Sequence, residues 1–100
     1  MAAKRAKLDD DDTIEIQLLC TNDTHSKMEP VERDGKTMGG VLRRARAVSA
    51  MRAAVPAGCT LLLDAGDHFS GSEYFTFLQG EAEMVVLDAL AYDATAVGNH

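Results

Sequence analysis

An α/β fold with a mainly parallel sheet is predicted by three features of the chain. Short apolar runs of strand length alternate with segments of helical periodicity, glycine or proline marks each change, and every apolar run opens into a polar cluster. The resulting order is β-α-β-α-β, which needs crossover helices between parallel strands, right-handed by the general rule.

The first strand is expected over residues 13–20. Ile14, Ile16 and Leu18 alternate with Glu15 and Gln17 before Leu19 and Cys20 follow, so one face is buried early and both faces late. Residues 24–38 contain Pro30, Gly35 and many charges without a period, and are read as a loop. After Gly39-Gly40, a helix is expected from the stripe Val41, Ala45, Val48, Met51 and Val55, ended by Pro56 and Gly58. Residues 59–63 form a continuous apolar run suited to a buried parallel strand, and 69–80 are read as a loop carrying aromatics and glycines. A second helix is expected over 81–90, with Ala82, Val85, Val86 and Ala89 as its apolar stripe and Glu81 and Glu83 favouring its positive amino-terminal end. The last strand, 94–97, leads into Gly98-Asn99-His100.

Residues 1–12 set the cations Lys4, Arg5 and Lys7 before the acidic run Asp9 to Asp12, with almost nothing aliphatic to bury. They are expected to form a disordered charged leader. The stretch AAKRAKLD is similar to a short basic nuclear-localisation signal, a pattern shared by many solvated termini and appended tags. No apolar run is long enough for a bilayer span of about 20 residues, and no apolar signal segment opens the chain. The compartment expected by default is therefore cytoplasmic. A net charge of −6 opposes a role in nucleic-acid binding, which favours a basic face. Cys20 and Cys59 form no CxxC pair and are read as small buried hydrophobes.

Each predicted strand runs into a polar cluster: Asn22-Asp23-Thr24-His25, Asp64-Ala65-Gly66-Asp67 and Gly98-Asn99-His100. In open α/β sheets ligands bind where strands give way to helices, so the three clusters can converge. Asp23 and His25, two apart, can offer a carboxylate oxygen and an imidazole nitrogen together. Alone, such a pair is equally an Asx-turn beside a solvated histidine. Asp67 follows a glycine at the end of a buried strand, a costly place for a carboxylate without a cation or donors. Asp64 in the same turn is read as a cap for local backbone amides. With Asn99 adding an amide oxygen, the donor set of oxygen and nitrogen without thiolate suits divalent zinc, manganese, iron or magnesium.

The segments LLCTNDTHS, GGVLRRARAV, LLLDAGDHFSGS and YDATAVGNH resemble, in order and spacing, the amino-terminal motifs of 5'-nucleotidases among the calcineurin-like metallophosphoesterases. The resemblance implies a sandwich of sheets flanked by helices, with two divalent metal ions at the strand ends and a phosphate ester, a nucleotide, as substrate. It further implies that Asp23 and His25 are ligands of the first metal, that Asp67 bridges the two, and that Asn99 is a ligand of the second. His100 resembles the family's catalytic histidine, which stabilises charge on the phosphoryl group and can protonate the leaving oxygen. Family members carry an acidic residue and further histidine ligands beyond the motif that here ends at His100. Residues 13–100 are therefore expected to be the amino-terminal part of a catalytic domain, with the remainder of that domain packed on it and little turnover by the chain alone. The alternative is a non-catalytic product that binds metal weakly or needs a complementing partner to fold. Asn22 is read as either a partner orienting Asp23 or a turn residue, and His68 as a loop residue near the site. Arg43, Arg44, Arg46 and Arg52 are read as a solvated helix face, and Tyr74, Phe75 and Phe77 as core or loop anchors.

Overall fold

The computed structural model describes the backbone of residues 2–7 and 13–99. A four-stranded sheet has the order β1-β2-β5-β6, with β1 at Ala2–Lys7, β2 at Glu15–Thr21, β5 at Thr60–Asp64 and β6 at Ala94–Thr95. β2, β5 and β6 are parallel neighbours, and α1 (Val41–Ala53) and α3 (Glu81–Ala89) supply the crossovers between them. The α/β class and the parallel β-α-β-α-β path are as the sequence predicts. The segment expected as a leader differs over Ala2–Lys7: it pairs antiparallel with β2, Ala2 opposite Cys20 and Lys7 opposite Glu15. That pairing uses the outer hydrogen-bonding edge of β2, which the parallel partner β5 leaves unoccupied. Residues 8–12 of the expected leader lie outside the described residues.

The helices cover one face of the sheet, and the core lies there. Leu19 from β2 and Leu62 from β5 are fully buried against Val48 of α1 and Leu90 at the end of α3. Each such leucine contributes about 1.5–3 kcal/mol by its removal from water. The period of two in β2 then decides which side chains are inside, and it reverses the expected face. Gln17, Leu19 and Thr21 point to the helices, while Ile14, Ile16 and Leu18 are 57%, 44% and 37% exposed on the other side. Gln17 is tolerated inside because its Nε2 donates to the Met51 carbonyl at 2.9 Å and to Thr60 Oγ1 at 3.2 Å. In the β2/β5 register Leu18 is the partner of Leu61, 40% exposed, so the outward apolar residues share a face.

α1 keeps the predicted stripe, with Val48 buried and Val41, Ala45 and Met51 packed against the core. α3 is rotated from expectation. Its inward residues are Glu83, Val86, Leu87 and Leu90, spaced three and four apart, whereas Val85 is 62% exposed. Two further elements fall where the sequence predicts loop. The first is a hairpin, β3 (Val31–Arg33) and β4 (Lys36–Met38), turned by Asp34-Gly35 with both residues at positive φ, the backbone that a two-residue hairpin loop demands. The second is the short helix α2 (Glu73–Leu78). Arg52 is not merely a solvated arginine: its guanidinium donates to the Leu90 and Ala91 carbonyls at 2.7 and 2.8 Å, satisfying the end of α3. No helix among the described residues is long and apolar enough to cross a membrane.

Candidate metal centre

The parallel pairing continues past the strand ends and brings two of the polar clusters edge to edge. Asp23 N–H donates to the Gly66 carbonyl at 3.1 Å, His25 N–H to the Asp67 carbonyl at 3.1 Å and Ser26 N–H to the His68 carbonyl at 2.9 Å. From the β6 side, Asp67 N–H reaches the Val97 carbonyl at 3.3 Å, which draws the third cluster in. Asp23, His25 and Asp67 each sit in the left-handed region, with φ of 52°, 45° and 55°. Non-glycine residues rarely adopt it, although Asp and His do so more readily than most, and its recurrence here turns three loops inward at one place.

The side chains converge as the backbone directs. One ligand-capable atom from each of Asp23, His25 and Asp67 lies within 4.8 Å of the others. His25 Nδ1 is 3.1 Å from the Phe69 carbonyl oxygen. Because a carbonyl only accepts, Nδ1 donates, and Nε2 lies 3.3 Å from Asp23 Oδ1, an ion pair when the ring is protonated and two facing acceptors when it is neutral. Two acceptors so placed gain from a shared cation, and a ring nitrogen tied to a backbone carbonyl is the usual support of a metal-binding histidine. Asn99 approaches Asp67 from the other side. Its backbone N–H donates to Asp67 Oδ1 at 2.7 Å, and its side-chain amide, with nitrogen toward Asp67, would donate to Oδ2 at 2.7 Å and to Oδ1 at 3.2 Å. With the amide oxygen there instead, acceptors face one another, an arrangement that a cation between them stabilises. The donor set therefore fits a divalent metal: two carboxylates, an imidazole and an amide of adjustable sense.

Gly98 makes the approach possible. A Cβ on it would fall 2.0 Å from Asp67 Oδ1 and 2.6 Å from the Asp67 nitrogen, and its φ is +83°. Gly66, at φ +108°, likewise faces the Gly98 nitrogen, where a Cβ would sit at 3.1 Å.

Beneath these loops Asp64 does more than cap a turn. It accepts the Gly66 N–H at 2.8 Å, as the sequence suggests, and it also binds the Thr21 hydroxyl at 2.5 Å and the Thr95 hydroxyl at 3.4 Å. His68, 3% exposed, places Nδ1 3.4 Å from Asp64 Oδ1, so this loop residue near the site is buried. Thr21 in turn meets the Tyr92 hydroxyl at 2.8 Å. This buried network ties the ends of β2, β5 and β6 together under the cluster, and no single motif reveals it. Asn22 is exposed, and His100 lies outside the described residues.

A groove of about 1040 Å³ lies elsewhere, between α1, the hairpin and α2 and α3. None of Asp23, His25 and Asp67 lines it, and size alone does not outweigh the convergence of ligand atoms. At its rim the Tyr74 hydroxyl donates to Glu29 at 2.6 Å. That hydrogen bond, and then the Glu29 charge, raise the Tyr74 pKa above its usual value.

No family model matches the chain. It is 40% identical over 94 residues to a snake venom 5'-nucleotidase of Gloydius brevicauda, a match that spans 88% of this chain and 16% of that protein. Among solved structures, the 5'-nucleotidase precursor of Thermus thermophilus superposes with a TM-score of 0.75 at 42% identity, over 85% of this chain and 17% of the other. The calcineurin-like phosphoesterase YfkN of Bacillus subtilis superposes with a TM-score of 0.61 at 26% identity, over 82% and 28%. The chain thus spans about a sixth of the length of the curated relatives it matches.

Proposed function

Because the chain belongs to the 5'-nucleotidase family of calcineurin-like metallophosphoesterases, we propose that it supplies part of a dinuclear metal centre for hydrolysis of a phosphate monoester, a nucleotide. The observation that carries this reading is the convergence of Asp23, His25 and Asp67 from two strand ends, with Asn99 held against Asp67 from a third. Asp23 and His25 would hold the first ion, Asp67 would be shared between the two, and Asn99 would offer its amide oxygen to the second. When bound, the two ions would neutralise phosphate oxygens and lower the pKa of bound water toward neutrality. The Phe69 carbonyl keeps His25 in the tautomer that presents Nε2. The Asn99 backbone N–H fixes one Asp67 oxygen and so orients the other. His100, next in the chain, stabilises charge on the phosphoryl group and protonates the leaving oxygen.

Support for a contribution from further chain comes from the open sheet face. Ile16, Leu18 and Leu61 are exposed together there, and the remaining part of a catalytic domain would cover them. The second reading is that the chain by itself binds metal weakly and turns over nothing until such a partner is present. The test is phosphatase activity of the full-length protein with manganese or zinc, against Asp67→Ala. The variant is expected to lose activity by more than about 100-fold, since it lacks the bridge. Equal rates would end the proposal.

A further inference from the structure

One buried charge takes no part in the site just described. Glu83 is 3% exposed, and neither of its carboxylate oxygens has a hydrogen-bond partner among the described residues. As the third residue of α3, it could reach back to the backbone N–H of Gly80, the residue before the helix, as glutamates at that position often do. It turns inward instead, in line with Val86, Leu87 and Leu90. There it meets a cavity of about 10 Å³, room for one water molecule, walled also by Thr24, Ser26, Lys27, Arg44 and His68. Thr24, Ser26 and Lys27 flank His25, and His68 follows Asp67, so the cavity lies directly beneath both ligand-bearing loops.

We propose that Glu83 and this cavity form a one-water site that braces the two metal loops against α3. The water donates to the Glu83 carboxylate and accepts from a donor on the loop above, the Thr24 hydroxyl or the Lys27 ammonium. A carboxylate left without a partner at this depth is strongly disfavoured, and a bridging water with two to four polar neighbours is the common remedy. Glu83 is then a positioning residue: it touches no metal or substrate and acts through the loops that carry Asp23, His25 and Asp67. The inference rests on the reading of those three as metal ligands.

Two substitutions separate bracing from bulk stability. Glu83→Gln keeps hydrogen-bonding oxygen and nitrogen atoms for the water, whereas Glu83→Leu fills the space and removes them. Titration calorimetry with zinc ions alone is expected to show Glu83→Gln within about threefold of wild type and Glu83→Leu weaker by about 10- to 100-fold, the range of residues that support metal ligands. The metal-free melting temperature of Glu83→Leu is expected to equal or exceed that of wild type, because an apolar side chain replaces a buried charge. A high-resolution crystal structure should show the water in wild type and Glu83→Gln, and not in Glu83→Leu. Unchanged zinc affinity in Glu83→Leu, a parallel fall in melting temperature and affinity without rescue by Gln, or wild-type density without the water would each overturn the proposal. Wild type binding zinc no better than Asp67→Ala would instead overturn the metal-site reading beneath it.

Discussion

Substituting Gly98 tests the site through a residue that carries no chemistry of its own. In Gly98→Ala the new methyl would lie 2.0 Å from Asp67 Oδ1, well inside the ordinary contact distance of about 3.4 Å, so the carboxylate or the strand end must move by more than 1 Å. Metal ligands tolerate displacements of about 0.2 Å. The shift also removes the Asn99 N–H donor from Asp67 Oδ1, a bond to a charged group whose loss is about 1.5–3 kcal/mol, or roughly 10- to 100-fold in affinity. A positive φ of 83° adds about 1–2 kcal/mol of backbone strain for any L-residue. The control is Gly35→Ala, at φ +73° in the hairpin turn, where nothing lies within 4 Å of the new methyl. Both variants carry the backbone penalty, but only Gly98→Ala strikes Asp67. In zinc titration calorimetry Gly98→Ala should weaken binding by about 100-fold, while Gly35→Ala should leave it unchanged. Thermal melts without metal should show the larger loss in Gly98→Ala, because that variant also gives up the Asn99 N–H bond to Asp67. Equal zinc affinities would refute the claim that Asp67, as held here, is a ligand.

Two further outcomes follow from burial and from the Tyr74 hydrogen bond. Leu62→Ala should cost about 2–5 kcal/mol in denaturant unfolding and Leu61→Ala much less, since Leu62 is fully buried and Leu61 is 40% exposed on the open face; similar losses would contradict the assignment of faces. Tyr74→Phe removes the bond to Glu29. Because that bond raises the folded-state pKa, its contribution is present in full below the unfolded tyrosine value near 10 and is lost as pH rises through the raised value. The melting-temperature gap between wild type and Tyr74→Phe should therefore close in the alkaline range, as followed by thermal melts at successive pH values.

The alignments to proteins named 5'-nucleotidase span most of this chain and about a sixth of theirs. Metal binding and turnover are separate claims, so affinity and activity belong to separate experiments. Zinc binding by this chain reports on Asp23, His25, Asp67 and their supports. Turnover tests the proposed activity separately.

The order of parallel strands and crossover helices was legible in the residues alone, because apolar runs and helical periods are local patterns written in neighbouring positions. The places of the polar clusters were legible too, since each follows its strand directly. Asp34-Gly35 carried a readable but unused signal for the hairpin, and the spacing of 83, 86, 87 and 90 carried another for the inward face of α3. Direction was settled only by packing. β2 alternates apolar residues on one face with Gln17, Leu19 and Thr21 on the other, and only the placement of α1 and α3 on a single side of the sheet shows that the second face is inside. Glu83 followed the same logic: helix-end electrostatics favour it in water, but the rotation that buries Leu90 carries it inward. The burial of His68 beside Asp64, and the carbonyl that orients His25, join residues 4 and 44 apart through loops whose turns no period encodes. Local pattern selects elements; the side of the sheet that the helices cover, a long-range property of packing, selects which atoms meet.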